Sequence, residues 1–168
     1  ESKQHFKVYT VVDRWGVPDS IRATLKGLHA QPHEAIIGAV FIGDIPIPMI
    51  RDAQHLCSAF KMSQKMPWQE SSVPSDRYYD DFSLQFDFLK RDSTATYYYY
   101  SLSARGSQQV HPDLFSGRIR PTDGDMPGSR YTKLKAYLQK ATEAKLHPER
   151  MMSVFVYTGS GSLSESKT

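Results

Sequence analysis

The sequence predicts a mixed α/β fold: three layers, with a mostly parallel sheet between helices and a β-hairpin excursion. Three observations carry this reading. A β-forming stretch, an amphipathic helix and a continuous apolar run follow one another within about forty residues, the length of a strand–helix–strand unit with its right-handed crossover. The apolar run from Ala35 to Ile42 has no polar face, which fits a strand covered on both sides. Further on, two aromatic-rich stretches flank the polar tetrapeptide "KRDS", the pattern of a hairpin.

Taken in order, "HFKVYTVVDRWG" reads as the first strand, with Phe6, Val8, Tyr9, Val11 and Val12 as its β-forming residues. "PDSIRATLKGLHAQ" is an amphipathic helix. Asp19 or Ser20 is placed to cap it, Ile21, Leu25 and Leu28 recur at helical spacing, and Pro32 ends it. "EAIIGAVFIGDIPIP" supplies the central parallel strand, hydrogen-bonded to a neighbour on each side and stopped by Gly43-Asp44, Pro46 and Pro48. "MIRDAQHLCSAFKM" reads as a short helix and "SQKMPWQESSVPSD" as a loop.

"RYYDDFSLQFDFL" and "TATYYYYSLSA" are the two strands of the hairpin. A strand over Tyr97–Tyr100 puts two rings on each face and leaves some of them exposed. Ordinary packing and a binding platform are the two roles open to them. "DLFSGRI" is the next strand. "TDGDMPGSRYTKLKAYLQKATEAKL" is a loop followed by the longest helix, with Tyr131, Leu134, Leu138 and Ala141 as its stripe and His147-Pro148 as its stop. "MMSVFVYTG" is the last strand, and residues 159–168 are a polar tail or a truncated loop whose one core-forming residue is Leu163.

Composition narrows the classes. A chain of 168 residues suits one domain and can bury a core. Its net charge of +3 is spread, with no basic run of five or six residues, so no nucleic-acid partner is expected. Mean hydropathy is −0.51 and no apolar run reaches the roughly 18–20 residues of a spanning helix, so no membrane span is expected. The first residues show no basic stretch leading into an apolar one, so no signal peptide is expected in this chain.

The single cysteine, Cys57, can form neither an internal disulfide nor a cysteine-based zinc site. His55 lies two positions away, on another face of a helix, so the two are not a nucleophile–base pair; Cys57 reads as a small buried residue. Asp80, Asp81, Asp87 and Asp92 lack the spacing of a calcium loop and read as solvated hairpin acids. The histidines form no His-x-x-x-His pair, so no metal is expected. "TGSGS" lacks the lysine of a phosphate loop and no helix follows it, so no cofactor is expected.

"HPDLFSGRIRP" is the most informative stretch. A buried strand explains Leu114, Phe115 and Ile119 but not the acid that opens it or the Gly117-Arg118 that closes it. Asp113 is either a surface or capping acid beside Pro112 or one member of a catalytic group. Pro112 to Arg118 spans roughly 20 Å as a strand, so its two ends cannot serve one site. Arg118 is expected to be a structural partner of a carboxylate or backbone carbonyl.

Gly43-Asp44 at a strand end, Ser75-Asp76 followed by Tyr78 or Tyr79, and Asp113 followed by Gly117-Arg118 together resemble the gingipain-type cysteine peptidases, a bacterial branch of the caspase-like fold. The likeness runs from about Phe6 to Tyr157. It implies peptide-bond hydrolysis by a Cys nucleophile with a His base, a protein or peptide substrate, and a secreted or cell-envelope location. Asp113 matches the position of the acid that orients the His; the best-known members carry Glu there. The family's His belongs to a Thr-Gly-His-Gly motif, and its Cys ends the next strand. Against that motif, "VYTGSGS" has two registers. In one, the His and Cys lie beyond Thr168, so that this chain is the N-terminal half of a longer peptidase and meets its dyad in the remainder of the polypeptide or in a second chain. In the other, Ser160 stands at the His position and the protein is a degenerate interaction module. Neither register gives this chain a Cys–His dyad of its own. An unrelated doubly wound domain that binds a small ligand is the third reading.

Overall fold

The computed structural model describes residues 7–53, 72–92, 97–121 and 126–147. The chain is mixed α/β. Its elements are α1 (Pro18–His29), β1 (Gly38–Ile42), β2 (Pro48–Arg51), β3 (Val73–Pro74), α2 (Arg77–Asp80), β4 (Phe86–Arg91), β5 (Tyr98–Leu102), β6 (Phe115–Ile119) and α3 (Pro127–Leu146). They fall into two compact units, Glu1–Arg120 with everything up to β6, and Pro121–Thr168 with α3.

Among the described residues the expected single sheet is two sheets. β1 pairs in parallel with β6, from Gly38 opposite Phe115 to Ile42 opposite Ile119. The other sheet has the order β3-β2-β5-β4, with β2 and β5 parallel and the outer pairs antiparallel. The split has a local cause. Gly43 takes a φ of 90°, in the left-handed region that glycine tolerates, and turns the chain out of the first sheet. The next strand starts at Pro48 and joins the second.

β1 is therefore not the central strand expected of "AIIGAVFI": among the described residues it has one partner, β6. Nor is it buried on both faces. Phe41 packs on Tyr79 with ring centroids 5.0 Å apart, while Val40 and Ile42 on the opposite face are 56% and 45% exposed. Apolar composition indicates a strand, but the number of its neighbours depends on distant segments.

The stretch around Val8–Val12 forms no strand, and Val8 and Val12 are 81% and 89% exposed. β propensity needs a ladder partner to act on, and among the described residues no strand pairs there. Met49–Arg51, expected in a helix, belongs to β2; Pro48 sits at its first position, where a missing N–H is tolerated. Arg77–Asp80, expected in a strand, is one helical turn.

The two long helices and the hairpin stand where the sequence put them. α1 starts with Pro18 at its first turn, a position with no helical N–H to satisfy. Neither Asp19 nor Ser20 caps it; Val17 is the N-cap residue and makes no side-chain cap bond. Asp19 instead accepts hydrogen bonds from the Tyr78 hydroxyl (3.0 Å) and the Tyr100 hydroxyl (2.7 Å). β4 and β5 pair antiparallel with a bulge between Phe88 and Lys90. Tyr98, Tyr99 and Tyr100 are all buried, so these rings are packing rather than platform. They join Ile21, Phe41, Ile50, Tyr78, Tyr79, Leu84 and Leu102 in and around the core, where Tyr78 and Tyr100 stack at 4.4 Å.

α3 carries Pro127 in its first turn and ends at Leu146, with His147 as its C-cap residue. Tyr131 of its apolar stripe is 71% exposed. The proposed last strand, the tail with Ser160, and His55 and Cys57 lie outside the described residues. Among those described, no helix is long and apolar enough to cross a membrane.

Candidate functional site

In parallel α/β structure, ligands gather beyond the carboxyl ends of the strands. At that end of β1 and β6 the chain brings together Gly43-Asp44, Ser75-Asp76 and Gly117-Arg118. The Gly43 N–H extends the ladder by one bond, to the Ile119 carbonyl at 2.9 Å. Arg118 then projects to the core side of β6. Its Nε and Nη2 reach the two oxygens of Asp76 at 3.0 and 2.7 Å, a bidentate fork. Its Nη1 donates to the Ile45 carbonyl at 2.8 Å and Nη2 to that of Pro46 at 3.3 Å. The guanidinium also lies over the Phe41 ring, 5.4 Å from its centroid. The Tyr79 hydroxyl donates to the same Pro46 carbonyl at 2.8 Å, and burial pushes this phenol well above the usual tyrosine range.

These contacts fix the loop after β1 and the turn before α2 to one side chain. The expectation that Arg118 serves a carboxylate or a backbone carbonyl holds for both. Farther out, Asp44 faces the Arg120 Nε at 3.5 Å, with Asp44 62% exposed.

Asp113 lies at the other end, ahead of β6. Its N–H donates to the Asp80 carbonyl (2.8 Å), as does that of Leu114 (3.1 Å), and its Oδ2 accepts from the Phe82 N–H at 2.6 Å. The residue is exposed, with its carboxylate laid along the α2–β4 loop. Asp81 braces the same loop. One oxygen takes the Ser83 N–H, the Ser83 hydroxyl and the Leu84 N–H, and the other takes the His111 N–H at 2.6 Å. Arg22 from α1 donates to the Leu84 carbonyl at 2.7 Å and to the Tyr78 carbonyl, and it sits over the rings of Tyr78, Phe82 and Phe86. Burial lowers its pKa from the usual arginine value.

The reading of Asp80 and Asp81 as solvated acids is overturned: both are fully buried. The turn-forming order Asp81-Phe82-Ser83 was the available signal, since an Asp two residues before a Ser commonly folds back on its own backbone. Asp87, by contrast, pairs with Arg105 at 2.6 Å in the open.

No nucleophile–base pair is assembled among the described residues, which include no cysteine. Of their histidines, His29 bonds the Ile36 carbonyl through Nδ1 at 3.0 Å, and the His111 ring contacts Gln109. No three His, Cys, Asp or Glu side chains among the described residues group as a metal site. No family model, no curated protein and no solved structure matches the chain.

Proposed function

We propose that this chain is the N-terminal part of a gingipain-like, caspase-fold cysteine endopeptidase. It contributes scaffold and the acid that orients the catalytic His, and the Cys–His dyad comes from residues outside 1–168. The reading is supported by the nearness of the segments that carry the resemblance: Arg118 of Gly117-Arg118 pairs with Asp76 and holds the Ile45 and Pro46 carbonyls of the loop that Gly43-Asp44 opens.

In this reading the fold is three-layered with a mostly parallel sheet. Cleavage proceeds by thiolate attack on a peptide carbonyl. Asp113 accepts a ring N–H from the His, holding the tautomer and stabilising the imidazolium. The protein works outside the cytoplasm on protein substrates and is inactive as residues 1–168 alone.

The test is hydrolysis of a mixed fluorogenic peptide set by the natural polypeptide that contains this segment. The expected result is turnover that iodoacetamide abolishes in the wild type and in Cys57→Ala alike. Absence of any thiol-sensitive turnover, or its loss in folded Cys57→Ala, overturns the proposal.

A further inference from the structure

Asp80 is the least expected group in the fold. Its side chain is buried, and Oδ1 has no hydrogen-bond partner and no access to solvent. Oδ2 accepts from the Ser116 hydroxyl at 2.5 Å and forms an ion pair with Arg77 Nη2 at 2.7 Å. The Asp80 backbone carbonyl holds the N–H groups of Asp113 and Leu114. One residue thus fastens α2 to the start of β6 by both its side chain and its main chain.

An ionised carboxylate in this position leaves one oxygen dry and unpaired, which costs several times what a neutral carboxyl does. The surrounding charges do not remove the difficulty. Arg77 pairs with Oδ2 but is itself about a third exposed, and Asp76 and Asp81 on either side add negative potential. Arg22 of α1 also senses the charge, from farther off. From β6 the facing group is Ser116, which donates one hydroxyl and carries no charge.

We infer that Asp80 holds a proton on Oδ1 in the folded protein, making the α2–β6 junction a proton-sensitive joint that loosens when Asp80 ionises. Burial, the largest influence on the group, raises its pKa above the carboxylate norm. A folded-state value above the unfolded one means that the joint's contribution is whole below the ordinary carboxylate value of about 4. It is lost as pH rises through the folded-state value. The inference is independent of the peptidase reading, since it concerns only groups within the fold. Its consequence falls on Asp113, whose N–H hangs on the Asp80 carbonyl.

Two measurements decide it. In the uniformly 13C-labelled wild-type chain, the Asp80 Cγ, assigned through its backbone, is followed by NMR from acid to alkaline pH. The expected result is a protonated-acid chemical shift that persists above the ordinary carboxylate range. Titration within or below that range overturns the inference. In Asp80→Asn, which keeps the shape and removes the charge, the melting temperature is expected to exceed that of wild type at pH 8, with the gap closing toward pH 4. A variant less stable than wild type by the same margin at every pH also overturns it, because the carboxylate itself would then be what the fold requires.

Discussion

Arg118 holds Asp76 through a two-point fork, at 2.7 and 3.0 Å, across 42 positions of sequence, with the ion pair seated mostly out of solvent. Both partners also sit where strands end and loops begin. The pair therefore shapes loops as well as adding stability.

Removing either member should show this coupling. Arg118→Ala is expected to cost about 2 kcal/mol, since it strands a partly buried carboxylate and takes a donor from the Ile45 carbonyl, while the Pro46 carbonyl keeps the Tyr79 hydroxyl. Arg118→Lys should recover only part of the loss, because an ammonium cannot reproduce the fork. A double-mutant cycle with Asp76→Asn, read by urea denaturation, should give a coupling of about 1 kcal/mol or more. A coupling near zero would show that the two groups stabilise the fold separately.

Alkaline pH should unfold the protein through its tyrosines. Burial is the largest cause raising Tyr78, Tyr79 and Tyr100 above the ordinary phenol value. With folded-state values raised, the stability given by the neutral phenols is whole below about pH 10 and falls as the pH climbs toward them. Ionisation of these three should appear in tyrosinate absorbance only together with loss of the circular dichroism signal. Their ionisation in a chain that keeps its far-ultraviolet spectrum would contradict the burial.

For an active parent polypeptide, Asp113→Asn is expected to lower kcat at least about tenfold with little change in melting temperature. The asparagine carbonyl can still accept the Phe82 N–H, so the loop keeps its support. An unchanged kcat in Asp113→Asn, beside an inactive but folded Arg118→Ala, would transfer the functional role to the carboxyl end of β6.

Two glycines separate backbone strain from steric clash. Gly43→Ala meets no atom within 4 Å, so its cost, about 1 kcal/mol, comes from the positive φ alone. Gly106→Ala would set a methyl 2.6 Å from the Gln85 backbone nitrogen, and the loop must shift at a cost of about 1–3 kcal/mol. Chemical denaturation of both variants should rank Gly106→Ala as the more damaging; the reverse order would show that the Gln85 loop yields readily.

What the sequence disclosed follows the range over which each feature is determined. α1, α3 and the β4–β5 hairpin rest on periodicities and polar breaks within some twenty residues, and all three were legible. The strand character of β1 and its parallel pairing were legible from its apolar run, but its sheet membership was not. That depends on the Gly43 turn and on a partner beyond the hairpin. Met49–Arg51 resembled the start of a helix until pairing with Tyr99–Ser101 overrode it. The structural duty of Arg118 was legible from its chemistry. The burial of Asp80 was not, because an acid-rich stretch gives no sign of which acid is turned inward.

The β1–β6 pair also has a consequence in time. Gly38 and Phe115 are 77 positions apart, so during synthesis at about 5–20 residues per second β1 emerges roughly 4–15 s before its partner. The β4–β5 hairpin can close within microseconds of its appearance. β1 must wait, inside the uncharged apolar run Ala35–Ile42 and with its ladder groups unmatched, which is the profile of a segment that pairs with copies of itself. On a ribosome, or on dilution from denaturant, the fate of this protein is decided during that interval, and aggregation during refolding should track the hydrophobicity of Ile36–Ile42 more closely than the stability of the finished fold.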